Sequence, residues 1–141
     1  MINKAKKFAE EKHKNQLDDE GKSYFENHLL KVGDAIMKLT NDKIIIASAF
    51  LHDTLEDTTT TFEELKKEFG IRVANLVYEL THEGKKDNYG FYFPRLKSKE
   101  AIMIKLVDRA SNISRMNNWT KERQEHYLRK SIFFKDGKEL K

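Results

Sequence analysis

The chain has 141 residues, of which 38% are hydrophobic and 35% charged, and its formal net charge is +4. This length suits a single domain with its own core and excludes two, so we expect one domain over residues 1–141. The mild positive charge is compatible with an anionic ligand, but it does not indicate nucleic-acid binding, and we expect no nucleic-acid partner. The absence of cysteine excludes disulfides and thiolate metal sites and leaves histidine and carboxylate as candidate metal ligands.

No segment of the sequence has the features of a membrane anchor. The basic start, Met1 to Lys7, leads into no apolar signal core. No apolar run reaches the length of about 18 residues that is needed to span a bilayer. We therefore expect a soluble, cytoplasmic protein without a membrane partner.

Apolar residues recur at helical spacing along most of the chain, and the single proline and six glycines leave few breaks. Thr61-Phe62-Glu63-Glu64 is a capping box that starts one helix, and Gly70 ends it. Gly84 to Pro94 is predicted to be an irregular aromatic segment. Because alternating apolar and polar runs are absent, we predict an all-α bundle of about six to eight helices. The spacing predicts further helices over about 2–14, 24–39, 42–56, 71–81, 96–116 and 120–132.

The acidic segment His52-Asp53-Thr54-Leu55-Glu56-Asp57 directly follows the apolar run 44–51. On a continuous helix, at about 100° per residue, its four ionisable side chains fall within an arc of roughly 140° and share one face. Three carboxylates so close together repel each other unless protons, partners or a cation compensate. A divalent metal does so most simply, and histidine and aspartate are suitable ligands. The alternative is a polar helix end that serves only solubility.

A further carboxylate, Asp108, follows an apolar stretch inside a long predicted helix. Its burial is unfavourable unless it is paired. Either Lys105 or Arg109 forms an ion pair with it, or it binds the same cation as the acidic segment. Asn112 lies four residues further on and therefore on the same side of the helix, where it can donate to a substrate or a water. His28 precedes two leucines in the second predicted helix, and a lone histidine there is more often a packing residue than a ligand.

The order of these residues resembles that of the HD-domain metal phosphohydrolases, whose pattern is H…HD…D. Longer matches are similar to the hydrolase domain of RelA/SpoT proteins, and the resemblance extends over about residues 5–116. The Glu56-Asp57 pair is more specific to that group than the His-Asp doublet. The matching segments are Ala9-x-x-x-His13-x-x-Gln16 with Gly21, Phe25-Glu26-Asn27-His28, Ala49 to Thr58, Thr61 to Leu65, Phe69-Gly70, Val73 to Val77 and Ile104 to Ile113.

The resemblance implies a metal-dependent nucleotide hydrolase, most closely the small stand-alone alarmone hydrolases of the metazoan SpoT-homologue type. In that family the reaction releases the 3′-pyrophosphate of guanosine tetra- or pentaphosphate. It also implies one divalent ion, typically Mn²⁺, and a small-molecule nucleotide as partner. The implied metal ligands are His28, His52, Asp53 and Asp108. Glu56 and Asp57 are implied to orient or deprotonate the attacking water, and Asn112, Lys22 and Arg109 are the candidate substrate-binding residues.

The sequence departs from the family pattern in three places. Asp18-Asp19 stand where the family has a basic Arg-Lys pair, and His82 stands where it favours Lys. Tyr24-Phe25-Glu26-Asn27-His28 replaces Pro-Tyr-x-x-His, so that the Pro is lost and, on this alignment, so is the Tyr. Two alternatives therefore stay open. One is an HD hydrolase of another nucleotide, such as a nucleoside monophosphate or an adenosine-based alarmone, and the other is a catalytically silent HD module that binds a nucleotide.

Overall fold

The computed structural model of the chain describes residues 1–18, 20–86, 92–114, 116–117 and 119–130, with side chains described throughout except at 82–86, 92–94 and 129–130. Within these ranges the fold is a bundle of helices with one short strand pair, so the prediction of an all-α domain is confirmed. The elements in chain order are α1 (Ile2–Lys12), a π-helix (Phe25–Leu29), α2 (Leu30–Leu39), α3 (Lys43–Leu51), α4 (Thr54–Asp57), α5 (Phe62–Phe69), α6 (Ile71–Leu80), β1 (His82–Lys86), β2 (Tyr92–Pro94), α7 (Lys99–Ile113) and α8 (Lys121–Lys130).

Helix α3 forms the centre of the bundle. Its residues from Ile45 to Leu51 are all buried, and α1, α2, α6 and α7 pack around it. Asp42 caps its start, because the Asp42 carboxylate accepts the backbone N–H of Ile44 at 2.8 Å. Helix α2 approaches α3 closely through Gly33, where an added Cβ would overlap the ring of Phe50. This close approach sets the distance between the two chain segments that carry His28 and His52.

The helix predicted over 42–56 is interrupted in the structure at His52 and Asp53. Helix α3 ends at Leu51, His52 and Asp53 form a turn, and α4 begins at Thr54. Two side chains take up carbonyl groups of the last turn of α3: His52 Nδ1 donates to the Ala49 carbonyl at 2.6 Å, and Thr54 Oγ1 donates to that of Leu51 at 2.7 Å. Such local bonds from side chain to backbone compete with helix continuation. His52 and Asp53, two of the predicted metal ligands, therefore lie in a turn and not on a regular helix face.

The second predicted helix begins with a π-turn instead of an α-turn. The backbone N–H of Leu30 donates to the carbonyl of Phe25, which is the i→i+5 pattern of a π-helix. The α-helical part then runs from Leu30 to Leu39. Short π segments are often found at functional sites, and this one carries His28.

The capping box before α5 is present in part. Thr61 Oγ1 accepts the backbone N–H of Glu64 at 3.1 Å, and Gly70 ends the helix with a φ of 92°. The carboxylate of Glu64 pairs with Lys12 Nζ at 3.3 Å, which ties α5 to α1. The helix boundaries predicted here from local sequence therefore agree with the structure.

The segment predicted to be irregular, 84–94, contains backbone pairing. Strands β1 and β2 are antiparallel, with His82 opposite Pro94 and Lys86 opposite Tyr92, and the register is irregular between these pairs. Residues 87–91 of the aromatic segment and the predicted helical residues 131–132 lie outside the described part of the chain. None of the described helices combines the length and the apolar character needed to cross a bilayer.

Candidate metal centre

Three separate segments bring the four predicted metal ligands together. His28 comes from the π-helix, His52 and Asp53 from the turn after α3, and Asp108 from α7. One ligand atom from each of the four side chains lies within 4.8 Å of all the others. His28, His52 and Asp108 are buried, and Asp53 is half-buried. Residues up to 80 positions apart in the chain thus converge at one point.

The distances between these atoms fit the binding of a single ion. His28 Nε2 lies 2.8 Å from Asp108 Oδ1, and His52 Nε2 lies 3.1 Å from Asp53 Oδ2. The other two nitrogen–oxygen separations are 3.3 and 3.8 Å. Ligands that share one octahedral ion at about 2.1 Å lie about 3 Å apart. Two imidazole nitrogens and two carboxylate oxygens suit a divalent transition metal and leave further positions for water or substrate oxygens.

The electrostatics of the centre keep both carboxylates ionised. Burial alone raises the pKa of Asp108, but Lys105 and the two histidines outweigh it and hold this pKa well below its usual value. The pKa of Asp53 is likewise lowered, because attraction from His52 outweighs the effect of burial. Burial would lower the pKa of His52, yet Asp53 and Asp108 raise it well above its usual value. The centre therefore attracts positive charge, which either a proton or a metal cation supplies.

In each of the two histidines, a hydrogen bond at Nδ1 fixes the orientation of the ring. His52 Nδ1 donates to the Ala49 carbonyl, which leaves Nε2 as the nitrogen that faces the centre. His28 Nδ1 lies 3.0 Å from Ser111 Oγ, with which it forms a hydrogen bond. Metal-ligating histidines typically have such a partner, because it fixes the tautomer and the ring orientation. Sequence reasoning did not find Ser111, although its position three residues after Asp108 places it on the same face of α7.

The two aspartates also have outer partners. Lys105 Nζ donates to Asp108 Oδ2 at 2.9 Å, while Oδ1 of the same carboxylate faces the histidines. One oxygen of Asp108 thus forms the ion pair with Lys105 that the sequence left open, and the other faces the two histidines. The phenol hydroxyl of Tyr24 donates to Asp53 Oδ2. Burial, followed by the carboxylates of Asp53 and Asp108, raises the pKa of Tyr24 well above its usual value, so it remains a donor.

The predicted catalytic pair, Glu56 and Asp57, lies one turn further along the chain, in α4. Asp57 Oδ2 accepts a hydrogen bond from Gln16 Nε2 at 3.1 Å, and Gln16 Oε1 in turn accepts one from His13 Nδ1 at 2.7 Å. Partial removal from water and the repulsion from Asp53 raise the pKa of Asp57, while the Gln16 amide lowers it. Neither carboxylate belongs to the four-residue cluster.

The three predicted substrate-binding residues contact other protein groups. Asn112 Nδ2 donates to the hydroxyl of Tyr127 in α8 at 2.8 Å. Arg109 is buried, with its guanidinium carbon 4.7 Å from the centre of the same tyrosine ring. Lys22 is exposed in the loop before the π-helix, with Nζ 3.6 Å from Glu20 Oε2. Helix α8, which sequence reasoning did not link to the site, therefore contacts two of these three residues.

Asp18, which stands where the resemblance places a basic residue, stabilises its own loop. Its carboxylate accepts the backbone N–H groups of Glu20 and Lys22, both at 2.9 Å, and the side-chain amide of Asn27. The N–H of Asp18 also donates to the carbonyl of Lys22 at 2.8 Å. Asp18 therefore has a conformational role in the loop, and its neighbour Asp19 lies outside the described residues.

The fold and the site define a helical domain in which two histidines and two aspartates from three segments form a candidate metal centre. The family described as HD domain matches residues 5–89, which is more than half of the sequence. The chain belongs to the HD domain family.

The chain is similar to several proteins named for one reaction. It is 35% identical over 139 residues to a guanosine-3′,5′-bis(diphosphate) 3′-pyrophosphohydrolase of Aquifex aeolicus, covering 93% of this chain and 20% of that protein. It is also 35% identical over 136 residues to the MESH1 enzyme of the same name from Danio rerio, covering 86% of this chain and 74% of that one. A second long relative, from Spiroplasma citri, is covered only to 19%, so the chain spans about a fifth of these long relatives and most of the MESH1 protein.

A solved structure, that of a metazoan orthologue of SpoT that hydrolyses ppGpp, has a similar fold. The TM-score is 0.76 at 24% sequence identity, with 94% of this chain and 83% of that chain covered. This similarity extends beyond the residues matched by the family and includes most of the helical bundle.

Proposed function

We propose that this protein is a metal-dependent phosphohydrolase that removes the 3′-pyrophosphate of guanosine tetra- or pentaphosphate. The observation that carries the proposal is the four-residue centre with a pair of carboxylates one turn further along the chain. The name of the MESH1 relative, most of which this chain spans, supports the choice of reaction and substrate. Nucleotide substrates of this kind occur inside the cell, so we also propose a cytoplasmic location.

In this proposal His28, His52, Asp53 and Asp108 hold one divalent ion, and we propose Mn²⁺. A bound ion of this kind supplies Lewis-acid chemistry, since it lowers the pKa of a water and neutralises charge on a phosphoryl group. The two imidazoles and two carboxylates leave the site open to substrate oxygens. Lys105 holds the second oxygen of Asp108 at 2.9 Å and so keeps the first one directed at the centre.

Glu56 and Asp57 orient the attacking water, and one of the two carboxylates takes its proton. A carboxylate is a better base when its pKa is raised toward neutrality, and the pKa of Asp57 is raised by its partial removal from water and by Asp53. The Gln16 amide donates to one Asp57 oxygen and leaves the other free to approach the water. Asn112, Arg109 and Lys22 contact the substrate in this scheme, for which Asn112 exchanges its bond with Tyr127 for one with the substrate.

One observation favours a second candidate, hydrolysis of another nucleotide. The position of the expected basic pair carries Asp18, whose carboxylate is held by its own loop and by Asn27. A carboxylate does not offer the cationic stacking surface that an arginine gives to a base. A nucleoside monophosphate or an adenosine-based alarmone would then be the substrate.

The test is a turnover screen of the purified protein with Mn²⁺. We expect release of pyrophosphate from guanosine tetraphosphate, and no release after chelation of the metal. Phosphate release from nucleoside monophosphates, without pyrophosphate release from the alarmone, would support the second candidate. Tight nucleotide binding without any turnover would instead indicate a silent binding module.

A further inference from the structure

Tyr24 contacts the metal centre at the atom that faces the two histidines. Its hydroxyl donates to Asp53 Oδ2. The same oxygen lies 3.1 Å from His52 Nε2 and 3.8 Å from His28 Nε2. By contrast, the partner of Asp108, Lys105, binds the oxygen on the far side of that carboxylate. Tyr24 thus donates directly to the oxygen of Asp53 that faces the two histidines.

Asp53 is the ligand that most needs an external partner. Its side chain is 14% exposed, whereas the exposed fractions of His28, His52 and Asp108 are 0%, 2% and 6%. It also lies in the turn between α3 and α4, outside regular helix. A carboxylate that is partly exposed and lies in a turn can rotate, so a hydrogen bond from a fixed donor affects where its oxygen points.

The helical turn that carries His28 also carries Tyr24. Tyr24 precedes the π-helix by one residue, four positions before His28. Residues four apart lie close to one full helical turn apart and therefore share one face. The two rings are accordingly in contact, with centroids 5.1 Å apart and ring planes inclined at 37°. The Tyr24 ring contacts the buried His13 on another side, at 5.7 Å, so packing fixes its direction.

We propose that Tyr24 is a positioning residue of the metal centre: its hydroxyl holds Asp53 Oδ2 between His28 and His52 in the orientation that binds the ion. The inference rests on the metal centre of the proposed function and is independent of the substrate.

The experiment measures the Mn²⁺ affinity of the purified protein without any nucleotide, by titration with detection of free Mn²⁺ by electron paramagnetic resonance. Tyr24→Phe removes one oxygen and keeps the ring between its neighbours. We expect its Mn²⁺ affinity to fall by about 10- to 100-fold, the usual effect of losing such an outer partner. The matched control is Tyr78→Phe, at a half-exposed tyrosine that packs on Phe62 and Arg95, and we expect its affinity to stay within about twofold of wild type.

A second measurement tests the contact in the unaltered protein. Binding of Mn²⁺ changes the electrostatic surroundings of the Tyr24 phenol, so the holo-minus-apo ultraviolet spectrum should contain a tyrosine difference band. The band should persist in Tyr78→Phe and disappear in Tyr24→Phe. A wild-type spectrum without the band overturns the proposal even if the phenylalanine variant does not fold.

The other outcomes are equally distinct. Unchanged affinity in Tyr24→Phe overturns the proposal, and so does tighter binding, because the hydroxyl would then compete with the ion for Oδ2. Absence of Mn²⁺ binding in the wild type overturns it together with the metal centre. Mn²⁺ binding that depends on Tyr24, in a protein without alarmone hydrolysis, would refute the proposed function and leave this inference intact.

Discussion

On the metal side of the candidate site, every ligand is held by a second protein group: Ala49 for His52, Ser111 for His28, Lys105 for Asp108 and Tyr24 for Asp53. On the substrate side, the two predicted binding residues of α7 are engaged with Tyr127 of α8. The four predicted ligands are therefore held in place without any bound ion. The predicted binding residues of α7 would have to exchange partners to bind a substrate, so the fold prearranges the predicted metal site more than the predicted substrate site.

The largest effect is expected from removing a metal ligand. Asp53→Ala takes away one of the two carboxylates and leaves the histidines without the negative charge that attracts a cation. We expect loss of both bound metal and turnover, measured by elemental analysis and by pyrophosphate release. Asp34→Ala, at an exposed position of α2, should change neither. Full metal content in Asp53→Ala would refute the assignment of this ligand.

A smaller effect is expected from the carboxylate pair in α4. Glu56→Gln keeps the shape of the side chain but cannot accept a proton, so turnover should fall by about 10²–10⁴-fold. Metal content should not change, because Glu56 is outside the four-ligand cluster. Glu10→Gln on exposed α1 is the matched control. Wild-type turnover in Glu56→Gln would assign proton transfer to Asp57 alone.

Structural features that depend on residues close together in the chain were predictable from the sequence. Thr61 accepts the N–H of Glu64 and Gly70 adopts a positive φ, as their spacing predicts. The H…HD…D order singles out four residues that the fold does bring together. Their roles as metal ligands stay a prediction, as do the roles of Glu56 and Asp57.

The outer partners were not predictable, and the reason is physical. The continuous helix predicted over 42–56 was wrong because His52 and Thr54 bond to carbonyls at the end of α3. The π-turn before α2 has no signal in the apolar periodicity, and the bond from Tyr24 to Asp53 joins residues 29 positions apart. Tyr127 lies beyond the region of family resemblance, so its contact with Asn112 becomes visible only in three dimensions.

A substitution at Gln16 tests whether a second protein group also supports the predicted catalytic pair, as it does the predicted metal ligands. A base must be unprotonated, so turnover should fall as pH drops through the pKa of Asp57. The Gln16 amide lowers that pKa, so Gln16→Ala should raise it and move the acid limb of the pH–rate profile to higher pH. The loss of one hydrogen bond should also reduce turnover at neutral pH by about tenfold or less.

The matched control for this change is Asn15→Ala, at the neighbouring exposed position, which should leave the profile in place. An acid limb that stays at its wild-type pH in Gln16→Ala would mean that the bond to Asp57 does not affect the base. A shift to lower pH would mean that Asp57 is not the group whose titration limits turnover.

The smallest effect is expected on the substrate side. Tyr127→Phe keeps the ring under Arg109 and removes the hydroxyl that accepts from Asn112. The free energy of unfolding should fall by about 0.5–1.5 kcal/mol, the net value of one hydrogen bond, as measured by urea unfolding against Tyr78→Phe. If Asn112 has to leave Tyr127 to reach the substrate, KM should stay unchanged or fall slightly, because the bond between Asn112 and the Tyr127 hydroxyl no longer has to be broken. A raised KM would mean instead that the Tyr127 hydroxyl orients Asn112 for binding, and both sides of the site would then be equally prearranged.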